Sequence, residues 1–326
     1  MAILGTVIGF LLGFVMIMKG GDVFVDAALY IAKKLGIPTV IMGATIVSLT
    51  TTLPELFVSS MAAATGHSEM AIGNAVGSII CNTGLILGLC LILTKTVHAN
   101  HFALKKSLLL LGAIVIYAVL AYLNDGLGHL DAVILYMLLG CFIWLNIKEL
   151  KEEPAREGES EEESFEAVNI VKFLLGAILI VFGARMLVTN GSSLASLLGV
   201  PEKVISLTLI AFGTSLPELV TSITAIIKKE NALSLGNIIG ANILNITLVL
   251  STAAMVSSSK NLPLVRTQTG FFAGQNQLLL LDIPVALAVC LILIAGAWNK
   301  KLVRLHGVIL LGIYGAYLTV LLLTMG

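Results

Sequence analysis

The sequence predicts an all-α polytopic membrane protein with ten transmembrane helices, arranged as two inverted five-helix repeats. Three observations support this fold class. Of the 326 residues, 58% are hydrophobic and 12% are charged, and the mean hydropathy of +1.03 is too high for a water-soluble domain of this size. The apolar residues form ten runs of roughly 20 residues or more, the length that crosses a bilayer. The two halves of the chain also repeat each other in sequence.

The charge balance excludes several classes of partner. Nineteen basic and nineteen acidic residues give a net charge of zero, so the chain lacks the basic surface that nucleic acids require. The four cysteines lie singly in apolar runs without nearby histidines, which indicates buried apolar residues and not a metal site. The lipid bilayer is the one macromolecular partner that the composition predicts, and protein partners remain unknown.

The apolar runs divide the chain into two halves joined by a polar linker. The predicted spans of the first half (residues 1–150) are 2–34, 39–64, 70–94, 103–123 and 130–150. Those of the second half (residues 166–326) are 166–197, 202–227, 232–257, 273–298 and 302–324. The linker, residues 151–165, has seven acidic residues in its first fourteen positions and no hydrophobic periodicity, which is typical of a solvated tether.

The distribution of basic residues predicts the orientation in the membrane. Fourteen Lys and Arg residues fall in one set of alternate connections and three in the other. Because cytoplasmic connections carry the excess of positive charge, both termini are expected outside and the acidic linker in the cytoplasm. The short chain favours a prokaryotic inner (plasma) membrane.

The internal repeat is strongest in the second and third spans of each half. Residues 36–88 align without a gap on residues 199–251, and 17 of the 53 positions are identical. Since each half has an odd number of spans, the second copy enters the membrane upside down. Inverted repeats of this kind place a binding site near the bilayer midplane and suit alternating access.

The repeated segments contain one carboxylate each in their middle, Glu55 and Glu218, which align with each other. An ionisable group at this depth is costly and usually functional. Each follows a proline, and a proline within a helix frees the carbonyl four residues earlier, on Thr50 or Gly213. Freed carbonyls at membrane depth are tolerated where they line a polar cavity.

Other oxygen-bearing residues surround these glutamates at helical spacing. Such hard oxygen ligands suit Ca²⁺ and Na⁺ and are poor ligands for soft metals. Two carboxylates in one cavity also make protons competitors for the site. The side chains predicted to share this cage are Thr51, Thr52, Glu55, Ser78 and Asn82 from the first half and Thr214, Ser215, Glu218 and Asn245 from the second.

These motifs resemble the two alpha-repeats of the sodium/calcium exchanger family, within the cation/calcium antiporter superfamily. The resemblance rests on GATIVSLTTTLPELFVSS with GNAVGSIICN, and on LIAFGTSLPELVTS with GNIIGANILN. It implies a transporter and not an enzyme, with no cofactor, that exports Ca²⁺ in exchange for Na⁺ by alternating access. It further implies electrogenic exchange, typically of three Na⁺ for one Ca²⁺, with the first and sixth helices sliding as a gate.

The resemblance also implies a ligand set, carried over by motif position. Ser48 and Ala211 would bind through their backbone carbonyls, and the two glutamates would bridge the Ca²⁺ and Na⁺ positions. The full implied set is Ser48, Thr51, Thr52, Glu55, Ser78 and Asn82, with Ala211, Thr214, Ser215, Glu218 and Asn245.

Three positions depart from the family pattern. Thr50 stands where the pattern has glycine, which adds bulk at the kink, and Ala241 lacks the hydroxyl expected opposite Ser78. Asn245 stands where many members have aspartate, so the cage has two acids and not three, and the Na⁺:Ca²⁺ stoichiometry is left open.

Two alternative functions remain. A Ca²⁺/H⁺ exchanger of the same superfamily also uses close carboxylates, but its repeats carry a GNxxE-type acid that this chain lacks. A passive cation channel is a different class, and the inverted repeats and the closed, proline-kinked cage argue against a continuous pore.

Overall fold

The computed structural model describes residues 2–152, 166–198, 211–258, 261–264 and 276–324. These ranges are almost entirely helical, as the sequence predicts. The first half contains α1 (Ala2–Lys34), α2a (Thr39–Thr51), α2b (Leu53–Ala64), α3 (Ser68–Thr94), α4 (His101–Leu123) and α5 (His129–Glu152). The second half contains α6 (Val168–Leu197), α7a (Ala211–Gly213), α7b (Leu216–Ile227), α8 (Asn231–Val256), α9 (Leu278–Trp298) and α10 (Arg304–Thr324).

Nine of the ten predicted spans correspond to helices of the described residues. Eight of them are individually long and apolar enough to cross a membrane, and α2a and α2b together form a ninth span that bends by 43°. The helix α7b is the end of the predicted span 202–227, whose start lies outside the described residues. Most of the predicted linker, residues 151–165, also lies outside them.

Within the described ranges, four short strands join connections at the two ends of the helices. Strand β1 (Thr96–His98) pairs antiparallel with β4 (Lys301–Val303), and β2 (Gly126–Gly128) pairs antiparallel with β3 (Asn261–Pro263). Each pair joins a connection of the first half to one of the second. Because α4 separates β1 from β2 by one crossing of the membrane, the two pairs lie on opposite faces.

The functional region is built from four helices at the centre of the molecule. Helices α3 and α8 are the most enclosed spans, and α2 and α7b each pack against both of them. Helices α1 and α6 pack along each other outside this group, with close backbone approaches at Gly13–Gly183 and Gly20–Gly176. These two contacts are exchanged by the pseudo-symmetry of the halves.

The second span is broken and not merely kinked at its proline. Helix α2a ends at Thr51, and Pro54 lies in the first turn of α2b, where its missing N–H is one that the helix does not need. Pro217 has the same position in α7b. The prediction of a proline within a continuous helix is therefore wrong, and each repeat instead presents a helix N-terminus to the centre of the molecule.

Wider π-helical turns interrupt the central helices at the repeat-related asparagines. Asn82 lies in the π-helical segment Cys81–Leu87 of α3, and Asn245 begins the segment Asn245–Val249 of α8. Segments of this kind frequently mark functional sites.

One basic residue counted in the orientation argument is buried inside the protein. Lys106 is buried within α4 and paired with Glu149 of α5. Removing it from the count leaves thirteen against three, so the predicted orientation does not change.

Candidate functional site

The two repeat-related glutamates lie inside the central group of helices. Glu55 and Glu218 are fully buried, each in the first turn of its helix, and they are close enough for their charges to repel each other. Among the described residues, no group of three or more His, Cys, Asp or Glu side chains is arranged so that it could hold a metal ion. The site therefore combines two carboxylates with neutral oxygens, as the sequence predicts.

Many of these oxygens have no hydrogen-bond partner among the described residues. They include both carboxylate oxygens of Glu55, Oε2 of Glu218, and the side-chain oxygens of Asn82 and Asn245. All four residues are fully buried. A buried acceptor without a partner costs about 1–3 kcal/mol, and a hard cation bound among them would remove that cost.

Hydroxyl groups connect the two halves across the site. The Thr52 hydroxyl lies 3.5 Å from Oε1 of Glu218, and Ser215 Oγ lies 3.4 Å from Ser78 Oγ. Ser78 in turn faces Glu55. Each of these predicted residues is buried, so the structure brings ligand candidates of both halves into one cluster.

The two residues expected to bind through carbonyl oxygens are placed differently. The Ser48 carbonyl oxygen accepts hydrogen bonds from the Thr52 backbone N–H at 2.9 Å and from the Thr51 hydroxyl at 3.2 Å. Ala211 begins the short helix α7a. The Ser48 carbonyl oxygen is thus already engaged by two donors of its own segment.

Two asparagines that the sequence argument did not include contact the predicted threonines. Thr51 Oγ1 lies 3.3 Å from Oδ1 of Asn237, and Thr214 Oγ1 lies 3.1 Å from Oδ1 of Asn74. The signal for them was present, because Asn74 and Asn237 are the asparagines of the GN pair that is identical in both repeats.

The departures from the family pattern have separate consequences. The Thr50 hydroxyl donates to the Ile46 carbonyl at 2.7 Å within its own helix, so its polar atom is not directed into the site. Ala241 is fully buried and provides no side-chain oxygen there. Asn245 is fully buried, and its side-chain oxygen has no hydrogen-bond partner among the described residues.

Comparisons with known proteins agree with this architecture. A family model described as sodium/calcium exchanger protein matches residues 5–148 and 168–323. The sodium/calcium exchanger MaX1 of Methanosarcina acetivorans is 32% identical over 95% of this chain and 97% of its own length. The inner membrane protein YrbG of Escherichia coli strain K12 is 37% identical over 78% of this chain and 81% of its own.

A solved structure is similar over the whole fold. The sodium-calcium exchanger NCX_Mj, soaked with 10 mM Na⁺ and no Ca²⁺, matches with a TM-score of 0.82 and 30% sequence identity, over 97% of this chain and 99% of that one. These matches confirm the predicted resemblance and the multi-pass fold of two inverted five-helix repeats. The chain belongs to the sodium/calcium exchanger family.

Proposed function

We propose that the protein is a Na⁺/Ca²⁺ antiporter that exports Ca²⁺ in exchange for Na⁺ by alternating access. The observation that carries the proposal is the buried pair Glu55 and Glu218, one from each half, among neutral oxygens that lack partners. Two carboxylates neutralise one Ca²⁺, and the same oxygens suit Na⁺. The names of MaX1 and NCX_Mj, both sodium/calcium exchangers, support this assignment.

In this proposal the transported ions bind to the residues of the predicted cage. Glu55 and Glu218 bridge the Ca²⁺ and Na⁺ positions, and amide and hydroxyl oxygens complete the coordination. The remaining proposed ligands are the carbonyl oxygens of Ser48 and Ala211 and the side chains of Thr51, Thr52, Ser78, Asn82, Thr214, Ser215 and Asn245.

Alternating access requires a part that moves relative to this site. The pair α1 and α6 is the candidate, because it lies outside the central helices and its backbones meet at glycines (Gly13 with Gly183, Gly20 with Gly176). Small residues at such a contact let two membrane helices approach closely. Sliding of this pair would uncover the site on alternate sides.

The proposed location is a prokaryotic inner membrane, with both termini outside and the linker 151–165 in the cytoplasm. The excess of Lys and Arg in one set of connections supports this orientation. The printed description of YrbG as an inner membrane protein supports the choice of membrane. The halves 1–150 and 166–326 each provide one side of the ion site.

Reconstitution tests the proposed function directly. Purified protein in liposomes loaded with Na⁺ should take up labelled Ca²⁺ when diluted into Na⁺-free medium at equal internal and external pH. Uptake should stop when the Na⁺ gradient is removed. Uptake that follows a pH gradient and ignores Na⁺ would instead identify a Ca²⁺/H⁺ exchanger, and Ca²⁺ flux without any countercation would identify a channel.

Acidification should inhibit exchange by competition. A proton on Glu55 or Glu218 removes half of the charge that neutralises Ca²⁺, so the apparent Ca²⁺ affinity should fall severalfold between neutral and mildly acidic pH. The measurement is the initial uptake rate against Ca²⁺ concentration, with equal pH on both sides. Saturating Ca²⁺ should restore the rate, and an affinity that does not change with pH would contradict the assignment.

Membrane potential should alter the exchange rate. The two carboxylates give a fixed charge of at most −2, so a Ca²⁺-loaded site is about neutral and a site with three Na⁺ is about +1. Since Asn245 still offers an oxygen, we expect three Na⁺ to bind, and Na⁺-driven Ca²⁺ uptake then moves one positive charge outward per cycle. An inside-positive potential set with K⁺ and valinomycin should accelerate uptake.

The same measurement at zero clamped potential is the control. Rates that do not depend on potential would indicate electroneutral exchange of two Na⁺ for one Ca²⁺. Asn245→Asp adds an ionisable carboxylate to the cavity, so it should change cation affinity or its pH dependence; a variant that matches the wild type in both would place Asn245 outside the ion site.

A further inference from the structure

We infer that Asn74 and Asn237 are positioning residues that turn the hydroxyl hydrogens of Thr214 and Thr51 away from the transported cation. The inference rests on the proposed cation site. Neither asparagine belongs to the ligand set implied by the family motifs. Each asparagine contacts a threonine of the other half of the molecule, and the two contacts are related by the pseudo-symmetry.

The orientation of the Asn74 amide is fixed by its other contacts. Its Nδ2 donates to the Glu55 backbone carbonyl at 3.2 Å, and a carbonyl can only accept. The same Nδ2 lies 2.9 Å from Ser59 Oγ, whose own hydrogen is directed to the Ala71 carbonyl at 3.0 Å. Oδ1 of Asn74 must therefore face Thr214, at 3.1 Å.

Two of these contacts recur around Asn237 in the second half. Its Nδ2 lies 3.2 Å from Ser222 Oγ, and its Oδ1 lies 3.3 Å from Thr51 Oγ1. Ser222 is the repeat mate of Ser59, and Asn237, Ser222 and Thr51 are all buried. Two copies of the same asparagine–serine and asparagine–threonine contacts, each made by residues identical in both repeats, argue against a coincidental contact.

The pattern determines which side of each threonine hydroxyl meets a cation. A hydroxyl has one hydrogen and binds a cation through its lone pairs. Because Oδ1 of an asparagine only accepts, the threonine hydrogen points to the asparagine and the lone pairs are free for the opposite side. The Glu218 carboxylate also lies within hydrogen-bond reach of the Thr51 hydroxyl, so it competes with Asn237 for this hydrogen when no cation is bound.

Asn237 also competes with the Ser48 carbonyl oxygen for the Thr51 hydrogen. Besides the Glu218 carboxylate, the single Thr51 hydrogen has two acceptors at similar distances, the Ser48 carbonyl oxygen at 3.2 Å and Oδ1 of Asn237 at 3.3 Å. When the hydrogen goes to Asn237, the Ser48 oxygen loses one of its two donors and gains a free lone pair. Asn237 would thus make two oxygens, one from Thr51 and one from Ser48, available to the same cation.

A pair of double-mutant cycles tests the inference. Asn237→Leu and Thr51→Val should each raise the Kd for Ca²⁺ about tenfold, the effect of about one lost charge-assisted interaction. Their combination should remain near tenfold, because Thr51→Val removes the same hydroxyl whose orientation Asn237→Leu already disrupts. The matched control pairs Asn237→Leu with Thr214→Val, residues of the same half, and this double variant should reach about 100-fold.

Binding is measured as the Ca²⁺-dependent increase in the Tm of the detergent-solubilised protein, together with the KM for Ca²⁺ uptake in liposomes. A purely structural role would lower the Tm without Ca²⁺ and leave the Kd unchanged, and this result would overturn the inference. Full additivity in the Asn237–Thr51 cycle would overturn it as well.

Two further variants keep the test decisive if Asn237→Leu does not fold. Asn74→Leu with Thr214→Val is an independent cycle with the same expectation. Ser222→Ala removes the acceptor that orients the Asn237 amide and should also weaken Ca²⁺ binding severalfold. A wild-type protein that binds no Ca²⁺ would refute the proposed function itself, whereas normal wild-type binding with additive cycles would refute the role of the asparagines alone.

Discussion

Glu55→Gln and Glu218→Gln proteins should insert and fold but should not exchange Ca²⁺. Both carboxylates are fully buried, so each provides half of the charge that a divalent ion meets in a site shielded from water. The opposite charges here are the carboxylate and the bound Ca²⁺. Removing one partner of such a buried pair costs about 3–5 kcal/mol, which corresponds to a more than 100-fold loss of Ca²⁺ affinity. Labelled Ca²⁺ uptake into liposomes, driven by an outward Na⁺ gradient, should fall to background.

A matched control separates this effect from a general effect of losing a carboxylate. Glu152 lies at the end of α5 with its side chain 44% exposed, paired with Lys148. Glu152→Gln should retain exchange, because an exposed ion pair contributes about 0–1 kcal/mol. Near-normal uptake by either buried-site variant would refute the assignment of the ion site.

The fold could be predicted because the sequence shows two features, long apolar segments and an internal repeat. A lipid environment demands long apolar helices, and the predicted spans 103–123 and 130–150 correspond to His101–Leu123 and His129–Glu152. The repeat then relates the halves residue by residue. It identified Glu55 and Glu218 as a pair before any geometry was known.

The broken helices and the π-helical segments were not accessible in the same way. Hydropathy does not distinguish an i→i+4 turn from an i→i+5 turn, so nothing in the pattern indicates that Asn82 and Asn245 lie in wider turns. Pro54 reads equally well as a kink within one helix or as the first turn of the next. In the structure Pro54 lies in the first turn of α2b, which packs against α3 and α8.

Contacts between the halves are the other part that required coordinates. The repeat shows that Asn74 and Asn237 are equivalent, but it does not show that each contacts a threonine of the opposite half. Lys106 is a second residue whose partner the sequence does not reveal. Its sequence position suggests a cytoplasmic connection, yet Glu149 of a neighbouring helix satisfies its charge inside the protein.

Gly236→Ala should both destabilise the protein and abolish exchange. A Cβ at Gly236 would overlap the carbonyl oxygen of Val40, and one at Gly43 would overlap that of Leu233, because α2a and α8 touch through their backbones. Backbone atoms cannot rotate away as a side chain does, so the helices must separate. Overpacking of this kind costs about 1–3 kcal/mol or more, which thermal unfolding of the solubilised protein should detect.

The functional loss follows from what this contact positions. Asn237 is the residue after Gly236, and a Cβ at Gly240 would lie 2.6 Å from the Ala44 carbonyl oxygen, one turn before Ser48. Separation of α2a from α8 would therefore move Asn237 away from Thr51 and disrupt the cage. Gly140→Ala is the control, since Gly140 is exposed on α5 with no described atom within 4 Å of an added Cβ. That variant should keep its Tm and its uptake rate, and a Gly236→Ala protein that does the same would show that the close approach of these helices does not hold the ion site together.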